Sequence, residues 1–231
     1  MPTAATATTT TTDFATARLT MVENQLRPNR VIEPRLSAAM GAVPRELFVP
    51  EALRGVAYAD EDIPLGRGRF LAEPLALGKL LQSAAIGERD AALVVGDTTG
   101  YAAAVAARLA ARVVLLLPPD AAAEADGVRE RLAGLDGGGA EVAVQAGDPA
   151  AGAPGRGPFD AIVLVGSVER VPPALLDQLA EHGRLVAVLQ ERRRGRVTVH
   201  LKVAGSVGRT TPFDAALPPL PGLRPEAGFV F

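Results

Sequence analysis

Nine consecutive residues concentrate the chemistry this sequence can offer: Leu93-Val94-Val95-Gly96-Asp97-Thr98-Thr99-Gly100-Tyr101. An apolar run that ends in a glycine-bounded turn and reopens as a helix lets a ligand approach bare backbone. The first helical N–H groups are then free to bind it. The turn is not the dinucleotide fingerprint G-x-G-x-x-G, because Thr98 takes its central position. A tight strand-to-helix turn with no ligand is the competing reading. Further on, Asp148 follows Gly147 at the end of another apolar run. It can accept a hydrogen bond from a nucleoside amine or a ribose hydroxyl. The spacing alone favours an Asx turn before Pro149. Asp160 precedes a strand and suits the fixing of a neighbouring segment. Arg192, Arg193, Arg194 and Arg196 form a basic run that reads as a solvated hairpin turn, with phosphate binding as the lesser option. Neither His182 nor His200 has a sequence neighbour suited to a proton relay. Nothing resembles a serine nucleophile elbow or a carboxylate pair for glycoside hydrolysis.

The elements that must position these residues follow from periodicity. Short Val/Leu-rich runs at 91–95, 112–117, 141–146, 161–165 and 184–189 alternate with helical stretches at 101–110, 121–135 and 173–180. That alternation predicts βαβ units and a doubly wound, mostly parallel sheet, with ligands at the carboxyl ends of its strands. Residues 196–204 alternate strictly, with Val197, Val199, Leu201 and Val203 against Thr198, His200 and Lys202. This predicts an added antiparallel strand with its polar face in water. Ahead of the sheet, residues 13–90 read as a helical and loop-rich cap packed on one side. It has helices after Asp13, over 34–41 and over 74–85, and an irregular stretch around Gly66 and Gly68. The organisation expected is a disordered threonine-rich tail over 1–12, then one domain over 13–231. That domain comprises the cap, a core over 91–189 and a C-terminal strand and tail over 190–231. The tail ends in Phe229-Val230-Phe231 and is expected to dock.

Composition closes off other functions. The chain has 231 residues, no cysteine and two histidines, so disulfides, thiolate sites and a multi-histidine metal centre are excluded. Tryptophan is absent, aromatics are 4% and the net charge is −2; there is neither a stacking surface nor a basic field for nucleic acid. No apolar run reaches the roughly 18 residues of a membrane helix. The expectation is a cytoplasmic enzyme, or a descendant of one, with no nucleic-acid or membrane partner.

Longer motifs then resemble one family, the S-adenosylmethionine-dependent protein-L-isoaspartate O-methyltransferases, from about Asp13 to about Leu189. Met21-Val22-Glu23-Asn24-Gln25-Leu26-Arg27 is similar to the family's M-V-x-x-Q-L-R. Val43-Pro44-Arg45-Glu46-Leu47-Phe48-Val49-Pro50 is similar to V-P-R-E-x-F-V-P, and Ala57-Tyr58-Ala59-Asp60 with Ile63-Pro64-Leu65-Gly66 to A-Y-x-D and L-P-I-G. Gly96 to Tyr101 stands at G-T-G-S-G-Y, Gly147-Asp148 at G-D-G and Pro158-Phe159-Asp160-Ala161-Ile162 at P-F-D-x-I. Gln178-Leu179 with Gly183-Arg184-Leu185-Val186 is similar to Q-L-x-x-G-G-R-L-V.

The resemblance implies a Rossmann-like class I methyltransferase fold and methyl transfer to isoaspartyl carboxylates in damaged proteins or peptides, by a monomer or weak dimer. It implies cofactor contacts at Leu71, Gly96, Asp97, Thr98, Gly100, Tyr101, Leu117 and Asp148. The active-site loop is implied at Ala72 and Glu73, and substrate contacts at Pro64, Val165, Gly166 and Ser167. The sequence departs from the family at several of these. Phe70-Leu71-Ala72-Glu73-Pro74 replaces T-I-S-Q-P, and Leu164-Val165-Gly166-Ser167 replaces V-T-A-A. Val94 and Leu117 stand where the family has acidic residues, the second of which holds the ribose hydroxyls. Asp97 replaces Val94 or Leu117 only as the lesser option, if the turn re-aims it, and Glu73 is expected to repel the substrate carboxylate unless Arg67 or Arg69 neutralises it. The alternative reading is a non-catalytic binding or assembly protein on the same fold. A dinucleotide oxidoreductase fits poorly, because no acidic residue ends the second strand.

Overall fold

Cap chemistry sets the N-terminal elements. The computed structural model describes residues 13–191, 194–220 and 222–223. Helix α1 (Phe14–Thr20) starts on Asp13, whose carboxylate accepts from the Ala15 and Thr16 N–H groups. It runs on through a wider turn, Met21–Leu26, that buries Met21, Val22 and Leu26. Helix α2 (Pro34–Ala42) has proline in its first turn and a carboxylate cap from Glu33. A two-stranded hairpin, β1 (Ile63–Gly66) and β2 (Arg69–Leu71), precedes α3 (Pro74–Ala84). The irregular stretch of the sequence therefore contains a hairpin. Gly66, Arg67 and Gly68 all take positive φ, which forms a tight turn that apolar patterning does not register.

The core then alternates as its composition predicts. It runs β3 (Ala91–Val95), α4 (Tyr101–Ala107), β4 (Arg112–Leu117), α5 (Ala125–Ala133), β5 (Glu141–Ala146), β6 (Phe159–Val168), α6 (Pro173–Asp177), β7 (Leu179–Glu191), β8 (Arg194–Val203) and β9 (Ser206–Asp214). The stretch from Pro119 to Glu124 is a 3-10 turn and not the start of α5, since Pro118 and Pro119 remove two donors from the entry. Seven strands form one sheet in the order β5-β4-β3-β6-β7-β8-β9, parallel from β5 to β7 and antiparallel thereafter. Val94, Leu115 and Val163 face one way, against the N-terminal region, α3 and α4. Leu93, Leu116 and Leu164 face the other, against Leu175 of α6 and Leu220.

Two expectations need correction. Strand β9 follows β8, although Ser206 to Asp214 has no apolar alternation and is exposed almost throughout. It exists through its ladder with β8. The polar face of β8 is also not wet: Thr198 is 1% and His200 9% exposed, while Val203 is 46% exposed. Thr198 pairs with Ala187 and His200 with Leu185, so both share a face with core residues of β7. No helix among the described residues is long and apolar enough to cross a membrane. The expectations for residues 1–12, for Arg192 and Arg193 and for 229–231 lie outside the described residues.

Candidate functional site

Strands β3 and β6 are neighbours, but the chain leaves β3 toward β4 and leaves β6 toward β7. Their carboxyl ends therefore diverge into the crevice where open α/β sheets take ligands. Gly96 at the end of β3 and Gly100 before α4 hold φ of +87° and +89°, conformations that a residue with a Cβ adopts only with strain. Asp97 lies between them, 3% exposed. Its Oδ1 accepts from the Thr99 N–H (3.0 Å), the Gly100 N–H (3.0 Å) and the Thr99 hydroxyl (2.6 Å), and its Oδ2 from the Ala103 N–H (3.2 Å). The Thr99 Oγ1 in turn accepts from the Tyr101 N–H at 3.1 Å. At the helix start the Gly100 and Ala103 N–H groups are thus engaged by the chain's own carboxylate and the Tyr101 N–H by the Thr99 hydroxyl. Asp97 is turned inward and does not replace a carboxylate at Val94 or Leu117.

Those two positions are 0% exposed and packed in the core. Gly100 is a packing residue: a Cβ there would come within 2.9 Å of Val128 in α5. Tyr101 is also 0% exposed, edge-on to Phe48 with ring centroids 5.3 Å apart. Burial pushes its phenol pKa up. Asp148 is exposed and makes the Asx turn, its Oδ1 accepting from the Ala150 N–H at 2.8 Å. Asp160 ties β6 to β3 by accepting from the Ala91 N–H at 2.9 Å. Thr98 alone of the turn is half-buried, on a cleft of about 370 Å³ with Phe48, Pro50, Leu65, Arg69 and Arg131.

The loop over 70–74 is built from beneath. Arg45, 0% exposed, donates from Nη2 to the Ala72 carbonyl and from Nε to the Ala57 carbonyl. Its guanidinium carbon lies 4.9 Å from the Tyr101 ring centroid, and burial lowers its pKa. Leu71 and Ala72 are buried; the Glu73 N–H donates to Asp62 Oδ1 at 2.8 Å. The Glu73 pKa is raised, first by burial, then by Asp62 and Asp60, and Lys79 opposes them. Arg69 does not neutralise Glu73: it pairs with Glu124 and, at 3.9 Å, with Asp120. Pro64 is exposed on β1, opposite Phe70. Among the described residues, no cluster of His, Cys, Asp and Glu could hold a metal.

Val165, Gly166 and Ser167 close β6 and are buried. What covers them is a residue that motif reading passed over. Leu220, 0% exposed, lies on both strand ends. A Cβ built on Gly96 would come within 2.7 Å of its Cδ1 and Cγ, and one on Gly166 within 2.8 Å of its Cβ. Its N–H donates to the Ser167 carbonyl at 2.8 Å, and the Ser167 N–H donates to the Pro218 carbonyl at 2.8 Å. The structure thus brings Gly96, residues 165–167 and Leu220 together. Asp148 stays apart, at the end of β5. Leu220 covers the bare backbone of Gly96 and Gly166, and no carboxylate stands at 94 or 117. Arg45 and Leu220 are the residues motif reading did not assign. Their signals were a lone arginine in an apolar motif and a leucine within Pro218-Pro219-Leu220-Pro221.

The model of the protein-L-isoaspartate(D-aspartate) O-methyltransferase family matches residues 17–214. A protein-L-isoaspartate O-methyltransferase of Methylorubrum extorquens (strain PA1) is 40% identical over 193 residues, covering 80% of this chain and 82% of its own. One of Gloeobacter violaceus is 35% identical over 208 residues, covering 89% and 99%. The chain belongs to the protein-L-isoaspartate O-methyltransferase family. The fold agrees with solved structures at 20% identity. One protein-L-isoaspartate O-methyltransferase superposes with a TM-score of 0.75 over 90% of this chain and 67% of that one. A Plasmodium falciparum beta-aspartate methyltransferase, in complex with S-adenosyl-L-homocysteine, superposes with a TM-score of 0.71 over 89% and 98%. The family match stops at Asp214, the last residue of β9; Leu220 lies beyond it.

Proposed function

We propose that the chain transfers a methyl group from S-adenosylmethionine to the carboxylate of isoaspartyl residues in damaged proteins, at a rate lowered by its altered donor site. Membership of the isoaspartyl methyltransferase family over 17–214 carries this reading. The relation of the site segments supports it: the glycine turn and the end of β6 meet at one edge of the sheet, and Arg45 holds the 70–74 loop to the buried face of α4. Pro64 and residues 165–167 are assigned to the acceptor side, Thr98 and Asp148 to the donor side, and Ala72 with Glu73 to the loop over the reacting methyl. A sulfonium methyl is already a good electrophile, so the contribution asked of the protein is positioning. The same reading places the protein in the cytoplasm as a monomer or weak dimer, to be checked by fractionation and light scattering.

The test is transfer of tritiated methyl from S-adenosylmethionine to an isoaspartyl peptide, with the aspartyl isomer as control. The expected result is slow transfer confined to the isoaspartyl form. Equal labelling of both peptides, or none at high enzyme concentration, would overturn the reading.

A further inference from the structure

We propose that Asp136 is a modification site: in the folded chain its side chain cyclises onto the Gly137 nitrogen, and the ring reopens to isoaspartate. The sequence has two Asp-Gly steps, Asp126-Gly127 and Asp136-Gly137, and no Asn-Gly. A following glycine leaves the attacking nitrogen unshielded and the backbone free to turn it toward the side chain. The two steps differ in their surroundings. Asp126 and Gly127 lie within α5, where ψ stays near about −42° and the ring cannot close without breaking the helix. Asp136 stands in the glycine-rich turn between α5 and β5, its side chain 81% exposed. The Gly137 N–H makes no hydrogen bond among the described residues. A Cβ on Gly137 would meet only Ala107, at 3.9 Å, and one on Gly139 would meet nothing within 4 Å. A free nucleophile, an exposed carboxyl and the room to join them therefore coincide at 136 and not at 126.

The bonds balance with water as the only other reactant. The Gly137 nitrogen attacks Asp136 Cγ; its proton and the carboxyl hydroxyl leave as water, and a five-membered succinimide remains. Water then reopens the ring. Attack at Cγ restores aspartate. Attack at the main-chain carbonyl carbon breaks the original peptide bond, frees an α-carboxylate and leaves the chain running through Cγ. Mass is unchanged, and one methylene is added to the main chain. The hydroxyl leaves readily only from the protonated carboxyl, and the fold resists that protonation. Asp136 Oδ1 accepts from the Gly138 N–H at 3.0 Å, and Oδ2 lies 3.3 Å from Arg108 Nη1. The Gly138 bond first, and Arg108 next, lower the carboxyl pKa. Arg108, which ends α4, also donates to the Asp136 main-chain carbonyl. Arg108 is thus the side chain that restrains the conversion, and it loses that partner once the chain has been rerouted through Cγ.

The test holds the full-length chain at neutral pH for weeks, then digests it with trypsin. Chromatography separates peptide isomers of equal mass, and electron-transfer fragmentation locates the added methylene. Asp136 falls in the peptide over 132–156 and Asp126 in the peptide over 113–129. The expected result is a second form of 132–156 with isoaspartate at 136, beside a single form of 113–129. Asp148 shares the first peptide but precedes Pro149, which has no N–H to cyclise, so it stays unchanged. Gly137→Val, whose Cβ has only ordinary contact to make with Ala107, should slow the conversion severalfold. Arg108→Gln should speed it severalfold, since each unit of rise in the carboxyl pKa makes the protonated form about tenfold more abundant at neutral pH. Circular dichroism checks that both variants fold. If Arg108→Gln does not fold, Asp136→Asn replaces it: ammonia leaves without prior protonation of a carboxyl, so this variant should gain mass by deamidation faster than the unaltered chain isomerises. No isoaspartate at 136, equal conversion at 126 and 136 in the folded chain, a rate unmoved by Gly137→Val, or a rate unmoved by the Arg108→Gln or Asp136→Asn exchange each overturn the proposal. The readout involves no methyl transfer, so it stands or falls apart from the reaction proposed above.

Discussion

Asp97 separates two roles that the sequence allows and the structure distinguishes. Facing the crevice, it would contact a ligand, and its loss would weaken binding with little effect on folding. Facing inward, as it does, it closes the start of α4 by accepting three N–H groups and one hydroxyl at 2.6–3.2 Å, within a site 3% exposed. In Asp97→Ala the Thr99 hydroxyl can rotate, but the N–H groups of Thr99, Gly100 and Ala103 lose their acceptor. An N-cap alone is worth about 0.5–2 kcal/mol, and each buried donor left unpaired costs about 1–3 kcal/mol. The expected loss is about 3–5 kcal/mol. Asp97→Asn keeps one oxygen for Thr99 and Gly100 but turns an amide N–H₂ toward the Ala103 N–H. Its expected cost is about 1–2 kcal/mol. At about 2–4 °C per kcal/mol for a chain of this length, Asp97→Ala lowers Tm by about 6–20 °C. Urea unfolding followed by far-ultraviolet circular dichroism measures it, since the chain has no tryptophan and two tyrosines. A loss under about 1 kcal/mol, or equal costs for Ala and Asn, would refute the inward cap.

Three further outcomes follow from buried polar groups. His200 sits 3.4 Å from the Thr198 hydroxyl and opposite Arg209; burial first, then Arg209, lowers its pKa below the ordinary 6.5. It stays neutral in the fold while the unfolded chain takes up the proton. Its contribution is therefore whole above pH 6.5 and is lost as pH falls from there through the folded pKa. His200→Gln should flatten the urea midpoint between about pH 7 and 5; an unchanged slope counts against it. Arg45→Met leaves the Ala57 and Ala72 carbonyls without their donor and should cost about 2–4 kcal/mol in the same unfolding assay, and a cost within about 0.5 kcal/mol of zero would show that the clamp is idle. Leu117→Glu, combined with Thr98→Gly and Ala72→Ser, restores polar contacts at the price of burying a carboxylate at a position 0% exposed. It should lose about 3–5 kcal/mol of stability and gain about tenfold or more in S-adenosylhomocysteine affinity; unchanged affinity would mean that Leu117 does not border the donor.

The parallel sheet was legible because each central strand is a short Val/Leu run, buried on both faces and bounded by turn residues. What escaped depends on pairing rather than pattern. Ser206 to Asp214 contains Gly208, Pro212 and three Ser or Thr side chains, and becomes a strand only because β8 offers a free edge. The wet face assigned to Thr198 and His200 failed for a related reason. Alternation identifies two faces but not their cover, and β7 places Leu185 and Ala187 beside them. At the site, the glycine turn and the end of β6 were readable as segments. The direction of the Asp97 carboxylate was not, because a short acidic side chain at a turn can cap the following helix or face outward with the same sequence. Leu220 was not readable either: it meets Gly96 across more than a hundred residues.

The departures at Val94 and Leu117 have one physical consequence in common. Both positions are 0% exposed among core residues, where a carboxylate is tolerated only with a partner to compensate its desolvation. Ligand hydroxyls can be that partner, but only while the ligand is bound. An apolar residue at the same place favours the ligand-free chain at every ligand concentration. Asp97 caps the start of α4 from within, accepting the Gly100 and Ala103 N–H groups. Each departure at 94 and 117 moves free energy from the liganded to the unliganded state. Losing one charge-assisted contact of about 1.5–3 kcal/mol weakens binding roughly ten- to a hundredfold. Donor affinity and ligand-free stability should therefore change in opposite directions across substitutions at 94 and 117. A binding defect caused by general loosening of the fold would instead lower both together.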